Sequence, residues 1–280
     1  MKHIPLDKSW AIRCLCLDII HGYTDAKSIL SGYELSDDIE NALGACLNWN
    51  VSDEIFVGES GTLYRFLKYI NIVKKTKKKF IITGTLLNRN ISDDKSVVNL
   101  GIKDLLTFEN NTSQWASAAY LCGVKFDTSM EVPYKLQLTV EAVKHWNERR
   151  KAGKAWEPRL DPTIENQAKA FIAMRNGENI DWTPSHSEDY CFARVFGLIT
   201  SDEGLKRWPN LTNHETNRID EMENAIKTFE CDQTCISKDH RVVQAMTMFA
   251  LVKGFPITTK HIDAVNKSWP EFWKFIGCVF

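Results

Sequence analysis

The sequence predicts an α/β chain, with α+β as its looser form, in which helices dominate and short strands lie between them. Three observations carry this expectation. Apolar residues recur at three- and four-residue spacing through most of the 280 residues. Short β-branched or apolar pieces separate several of these runs. Only 8 prolines and 14 glycines interrupt the pattern. Helix and strand in alternation imply sheets covered by helices.

In chain order, Lys8–His21 is the first amphipathic run. Ser36 and the acids Asp37, Asp38 and Glu40 open the next, where Ile39, Leu43 and Leu47 share a face and the carboxylates suit the positive helix end. Glu54–Val57 reads as a strand, Gly61–Val73 as a helix and Phe80–Thr83 as a strand. Helical spacing then covers Ser96–Leu106, Ser113–Gly123 and Pro133–Arg150, and Ala168–Met174 reads as a third strand. Glu188–Ile199, Glu215–Phe229 and Asp239–Val252 read as helices, Pro256–Thr259 as a strand and Pro270–Ile276 as the last helix. Glu148–Asp161 is the least patterned stretch, Thr183–His186 is a hinge candidate because of Pro184, and Lys74–Lys79, with five lysines in six positions, is read as a solvated loop.

Charge and composition narrow the function. There are 35 basic and 36 acidic residues, for a net charge of -1, so the surface as a whole is not committed to nucleic acid or anionic lipid, and any anion must be gathered locally. Apolar stretches such as Ile12–Ile20 stop well short of the ~20 residues of a membrane span, and Met1–Ser9 lacks the apolar run of a signal peptide. A cytoplasmic protein is expected. Cys14, Cys16, Cys46, Cys122 and Cys191 fall on apolar helix faces, which suits reduced thiols rather than a disulfide framework. Cys231, Cys235 and His240 lack a matching second ligand pair, so no metal site is expected.

Four short motifs place hydroxyls, small residues and a cation where a helix begins, and free backbone N–H groups there attract anions. They are Asp7-Lys8-Ser9-Trp10-Ala11-Ile12-Arg13, Gly58-Glu59-Ser60-Gly61-Thr62-Leu63-Tyr64-Arg65, Asn111-Thr112-Ser113-Gln114 and Lys238-Asp239-His240-Arg241. Singly, each is more often a helix cap than a ligand site. Their order and spacing go further. Together with Pro133-Tyr134 leading to Thr139, Asn210 leading through His214 and Glu215 to Arg218, Asp239-His240-Arg241 leading to Met246, and Lys267-Ser268 leading to Pro270 and Phe272, they form seven motifs in a fixed order from Lys8 to Ile276. In this the chain resembles the enolpyruvyl transferases, most of all the branch that acts on shikimate 3-phosphate in aromatic amino acid biosynthesis.

The resemblance implies two domains of repeated βαβαββ units with at least one unit reduced or missing: a first domain over 14–183, and a second, shortened one made of 1–13 and 184–280. It implies transfer of the enolpyruvyl group from phosphoenolpyruvate to shikimate 3-phosphate or a related phosphorylated alcohol, with release of phosphate and without cofactor or metal. Carried over residue by residue, Lys8, Ser9, Arg13, Thr112, Ser113, Gln114, Tyr134, Asn210 and His214 would meet shikimate 3-phosphate. Lys8, Gly61, Arg65, Arg89, Gln114, Arg218, Arg241 and Lys267 would meet phosphoenolpyruvate. Glu215, with Lys8, would carry the chemistry, Glu215 as proton donor to the methylene carbon.

The chain departs from the family's pattern at named places. His214 stands for a lysine, Asn217 for an aspartate, and Glu59-Ser60 for asparagine and alanine. The motif with the family's catalytic aspartate does not occur, and Asp161 and Asp202 are poor substitutes for it. The alternative is therefore a relative without catalysis that binds anionic ligands or a partner protein. Neither the oligomeric state nor a partner chain that supplies the missing unit is legible in the sequence.

Overall fold

The computed structural model describes residues 2–126, 131–213 and 216–279, with Asn110, Asn111 and Asn213 described in their backbone only. Helix accounts for 60% and strand for 6%, so helix and strand are mixed, as expected, but the sheets are small. Residues form two compact units, one of Leu6–Arg159 and one of Met1–Pro5 with Leu160–Phe280. The chain thus passes between units at 5/6 and 159/160, whereas the boundary expected at 13/14 falls inside an unbroken first helix.

The unit of Leu6–Arg159 contains α1 (Lys8–His21), α2 (Ala26–Ile29), α3 (Asp37–Asn48), β1 (Glu54–Gly58), α4 (Gly61–Val73), β2 (Lys79–Ile82), α5 (Ile102–Leu105), α6 (Phe108–Asn111), α7 (Gln114–Leu121) and α8 (Gln137–Lys151). α1 is its central rod. Every residue from Trp10 to Ile19 is buried, as befits a helix packed by α3, α4, α7 and α8. Asp7 caps its start by accepting from the Trp10 amide at 3.0 Å, and Gly22, at φ 79, closes its end in the left-handed conformation that glycine adopts without strain. Burial of such large side chains as Trp49, Trp115, Phe66 and Trp156 removes the most water-exposed apolar area, each worth roughly 2–3 kcal/mol. Trp146, Trp156 and Arg150, all late in this unit, converge on Asp18 of α1 with hydrogen bonds of 2.8 Å each.

β1 and β2 pair in parallel, with Ile55 opposite Phe80 and Phe56 opposite Ile81. Alternation sends Ile55 and Val57 inward and leaves Phe56 and Ile81 exposed. The expected helix over Ser96–Leu106 is split into a 3-10 segment, Lys95–Asn99, and α5, with Gly101 as the cap between them.

The second unit holds α9 (Pro162–Arg175), α10 (Tyr190–Val195), α11 (Ser201–Arg207), α12 (Arg218–Asp232), β3 (Thr234–Cys235), α13 (His240–Lys253), β4 (Thr258–Thr259) and α14 (Phe272–Val279). α13 is its rod, buried from His240 to Met248 and packed by α9, α10, α12 and the 3-10 segment Ile262–Lys267. β3 and β4 pair in parallel over two residues. The strand expected at Ala168–Met174 is helix, the second half of α9. Asp161 caps α9 by accepting from the Thr163 and Ile164 amides, Pro162 occupies its first position, and Ile164, Ala168 and Phe171 are buried at helical spacing. Three alanines in the run favour helix over strand.

Candidate anion sites in the two units

In the first unit the expected ligand residues Gly61, Arg65, Arg89 and Gln114 come together at the start of α4. Ser60 caps this helix, its hydroxyl accepting from the Leu63 amide. Gly61 follows, and a side chain there would meet Arg89 Nη1 at 2.7 Å and Arg65 Nη1 at 3.1 Å, so two guanidinium groups close on one glycine. Arg65 sits one turn into α4 and donates through Nη1 to Gln114 Oε1 at 2.7 Å and to the Gly61 carbonyl at 3.2 Å. Gln114 Nε2 in turn donates to Thr62 Oγ1 at 2.8 Å, and Thr112 Oγ1 accepts from the Gln114 amide. The Arg65 fork faces Glu109: Nε reaches Oε2 at 3.2 Å and Nη2 reaches Oε1 at 2.9 Å.

Glu59, an acid beside an anion-attracting helix end, opposes anion binding only if it faces the ligand. Its Oε2 accepts from Thr85 Oγ1 at 3.1 Å, and its side chain lies against Gly84, at a spot that a Cβ would fill. Gly84 has φ +53, so glycine serves both the turn and the close approach. Arg89 Nη2 donates to the same Thr85 hydroxyl at 3.0 Å, which places the arginine and the glutamate around one threonine.

The residues at the mouth of α1 divide differently. Lys8 Nζ pairs with Asp38 Oδ2 of α3 at 3.2 Å. Arg13 points into the core, where Nε donates to Thr139 Oγ1 at 2.8 Å, Nη1 donates to the Ser9 carbonyl at 2.7 Å, and the guanidinium lies 5.5 Å from the Phe66 ring centre. Burial lowers its pKa to about 10. Thr139 passes the chain on to Ser117 Oγ at 2.9 Å, so α1, α8 and α7 share a buried polar line. Ser113 precedes α7, half-buried, and Tyr134 is exposed on the 3-10 turn Tyr134–Leu136.

In the second unit Arg218, Arg241 and Lys267 are expected ligand residues. Asp239 joins the first two. Its Oδ1 caps α13 by accepting from the Arg241 amide at 2.9 Å, and its Oδ2 accepts from Arg218 Nε at 3.1 Å and from Thr216 Oγ1 at 3.1 Å. The Arg241 side chain is only 2% exposed. Its Nη2 donates to Glu188 Oε2, while Nε and Nη1 are shut off from solvent without a hydrogen-bond partner among the described residues. One turn along α13, Gln244 Nε2 donates to Ser268 Oγ at 3.2 Å, and Gln244 Oε1 is likewise buried and unpartnered. Lys267, half-buried, precedes Ser268 in the chain, and Asn210 is exposed on the 3-10 segment Pro209–Asn213. His214 and Glu215 lie outside the described residues.

Three contributors were not singled out from sequence: Glu109, Glu188 and Gln244. The first two pair with arginines 44 and 53 positions away, separations that no local pattern reports. Gln244 was reachable, since it lies three residues after Arg241 and therefore on the same helical face. No group of three metal-ligating side chains and no helix long and apolar enough to cross a membrane occurs among the described residues. All eight cysteines are free thiols, and burial pushes those of Cys46 and Cys122 up to about 12, well away from reactive thiolates.

Chemically, both clusters suit a flat or tetrahedral oxyanion. The first offers two guanidinium groups over a helix N-terminus; the second offers a buried arginine with two donors that lack a partner among the described residues. The chain matches no family model, no curated protein and no solved structure.

Proposed function

We propose that the chain is an enolpyruvyl transferase of shortened form, which moves the carboxyvinyl group of phosphoenolpyruvate to shikimate 3-phosphate or a related phosphorylated alcohol. The observation that carries this reading is Arg241. Two donors of this buried guanidinium have no partner among the described residues, and an unmade bond costs roughly 1–3 kcal/mol to a neutral partner and more to a charged one unless an anion completes it. A carboxylate or phosphate on Nε and Nη1 removes that cost. The gathering of Gly61, Arg65, Arg89 and Gln114 at the start of α4 is a second support, since the seven-motif resemblance assigns these four to one ligand.

In this reaction the acceptor hydroxyl bonds to C2 of phosphoenolpyruvate while Glu215 protonates C3, and the hydroxyl proton passes to a substrate phosphate. Loss of a C3 proton and of inorganic phosphate then restores the double bond. The residues described above hold and orient the two anions rather than react.

A second reading, a relative that binds without turnover, is favoured by the missing aspartate motif and by His214 in place of a lysine. Phosphate release from shikimate 3-phosphate and phosphoenolpyruvate, measured against Glu215→Gln, separates the two. Release that exceeds the control supports the transferase. Calorimetric binding without release supports the second reading, and no binding at millimolar ligand refutes both.

A further inference from the structure

The α4 cluster already contains an anion, and it belongs to the protein. Glu109 presents both carboxylate oxygens to the Arg65 fork at 3.2 and 2.9 Å, in the bidentate geometry that an external carboxylate or phosphate uses. Its side chain is 7% exposed, so the pair is held away from water, where opposite charges attract more strongly than in solvent. The Trp115 indole N–H donates to the same Oε2, and Gln114 grips the remaining face of Arg65. Glu109 reaches this position from a four-residue helix, with its own backbone at φ 50, a left-handed conformation uncommon for a residue with a side chain. A mobile lid is not needed for the carboxylate to leave. Rotation of the Glu109 side chain alone takes its carboxylate off Arg65.

We propose that Glu109 is a displaceable internal counterion: it satisfies Arg65 while no ligand is bound, and it sets the threshold that an incoming anion must exceed. This rests on the α4 cluster being an anion site. It also assigns a selectivity. A monoanionic carboxylate gains nothing by replacing another carboxylate on Arg65, whereas a phosphate with close to two charges does, with Arg89 and the α4 N-terminus added to Arg65. The device therefore favours phosphate-bearing ligands over simple carboxylates.

The test uses the full chain with nitrogen-15-labelled tryptophan. The Trp115 indole resonance is identified as the one that Glu109→Gln displaces. Inorganic phosphate, phosphoenolpyruvate and acetate are then titrated at constant ionic strength, with calorimetry in parallel. In the parent chain the two phosphates move the Trp115 resonance in step with the binding isotherm and acetate does not. Glu109→Gln binds both phosphates about tenfold more tightly and binds acetate measurably. Phosphate binding with a stationary Trp115 resonance, or unchanged affinity in Glu109→Gln, overturns the counterion and leaves the transferase reading intact. If neither the parent nor Glu109→Gln binds either phosphate, both fall together.

Discussion

Asp18 and Asp25 share one guanidinium, that of Arg150, at 2.8 and 2.7 Å, yet the two carboxyls are shifted in opposite directions. The Arg150 hydrogen bond holds Asp25, on the rim, below its usual value. Asp18 has no solvent contact, and burial raises it in spite of Arg150, Trp146 and Trp156. The consequences for stability follow from the signs. The Asp25 contribution is present above its unfolded pKa, ~3.9, and fades as pH falls through its lower folded value. For Asp18 the folded state favours the protonated form, so its contribution is whole below the unfolded pKa and is lost as pH rises through the raised folded value. Carbon-detected titration of the two carboxyls checks this: Asp18 titrates above 3.8 and Asp25 below it. An Asp18 midpoint at or below that of Asp25 would show that Asp18 is hydrated.

Gly204 tests the packing of the second unit. A Cβ at this position in α11 would overlap the Tyr190 ring, whose hydroxyl meets Ser201 Oγ at 3.3 Å. Gly204→Ala is expected to cost about 2–3 kcal/mol, since the buried ring has nowhere to move. Gly177→Ala is its control. Gly177 has φ +75 with open space around it, so only backbone strain applies, on the order of 1 kcal/mol. Urea denaturation reads both, and equal losses would refute the ring overlap.

The two glycines of the α4 cluster separate function from stability. Gly61→Ala presses on Arg89 Nη1 and Arg65 Nη1, the far ends of flexible side chains, so the fold tolerates it at less than ~1 kcal/mol. The guanidinium groups lose their shared approach, and phosphate affinity falls about tenfold, ~1.4 kcal/mol. Gly84→Ala meets both a φ of +53 and the Glu59 side chain, and costs about 2–3 kcal/mol of stability. Calorimetry paired with denaturation distinguishes them; a Gly61→Ala chain that binds phosphate normally removes Gly61 from the site.

What could be read from the sequence was mostly local. The helix over Gly61–Val73 has the expected bounds, because a hydroxyl cap, a glycine and an unbroken apolar stripe mark it within one segment. Asp239-His240-Arg241 is a helix start for the same reason. Ala168–Met174 reads as a strand in the sequence because a short apolar run looks alike in helix and strand, while the deciding signals, Asp161 and Pro162, lie about two turns earlier. The candidate cations were legible as residue types at helix starts, but their counterions were not. Glu109 and Glu188 reach Arg65 and Arg241 through tertiary folding, and a glutamate on a short helical turn carries no sign of the arginine that it will meet.

Arg241 provides a prediction in which stability and binding move apart. Arg241→Met keeps the volume of a long side chain and removes a buried charge, two of whose donors have no partner among the described residues. Glu188, whose side chain is 26% exposed, can be hydrated once its partner is gone. Removal of one member of a buried pair is costly when the other is left dry, but a hydrated Glu188 avoids that cost, so the ligand-free variant is expected to unfold at the same or higher urea concentration than the parent. Ligand reverses the order. Phosphoenolpyruvate at ten times its dissociation constant stabilises the parent by ~1.4 kcal/mol and leaves Arg241→Met unchanged. Arg241→Lys retains the charge without the planar fork and recovers only part of the ligand effect. A ligand-free Arg241→Met chain that loses more than ~2 kcal/mol would show that Arg241 serves the fold, with its donors satisfied in solution, rather than an anion.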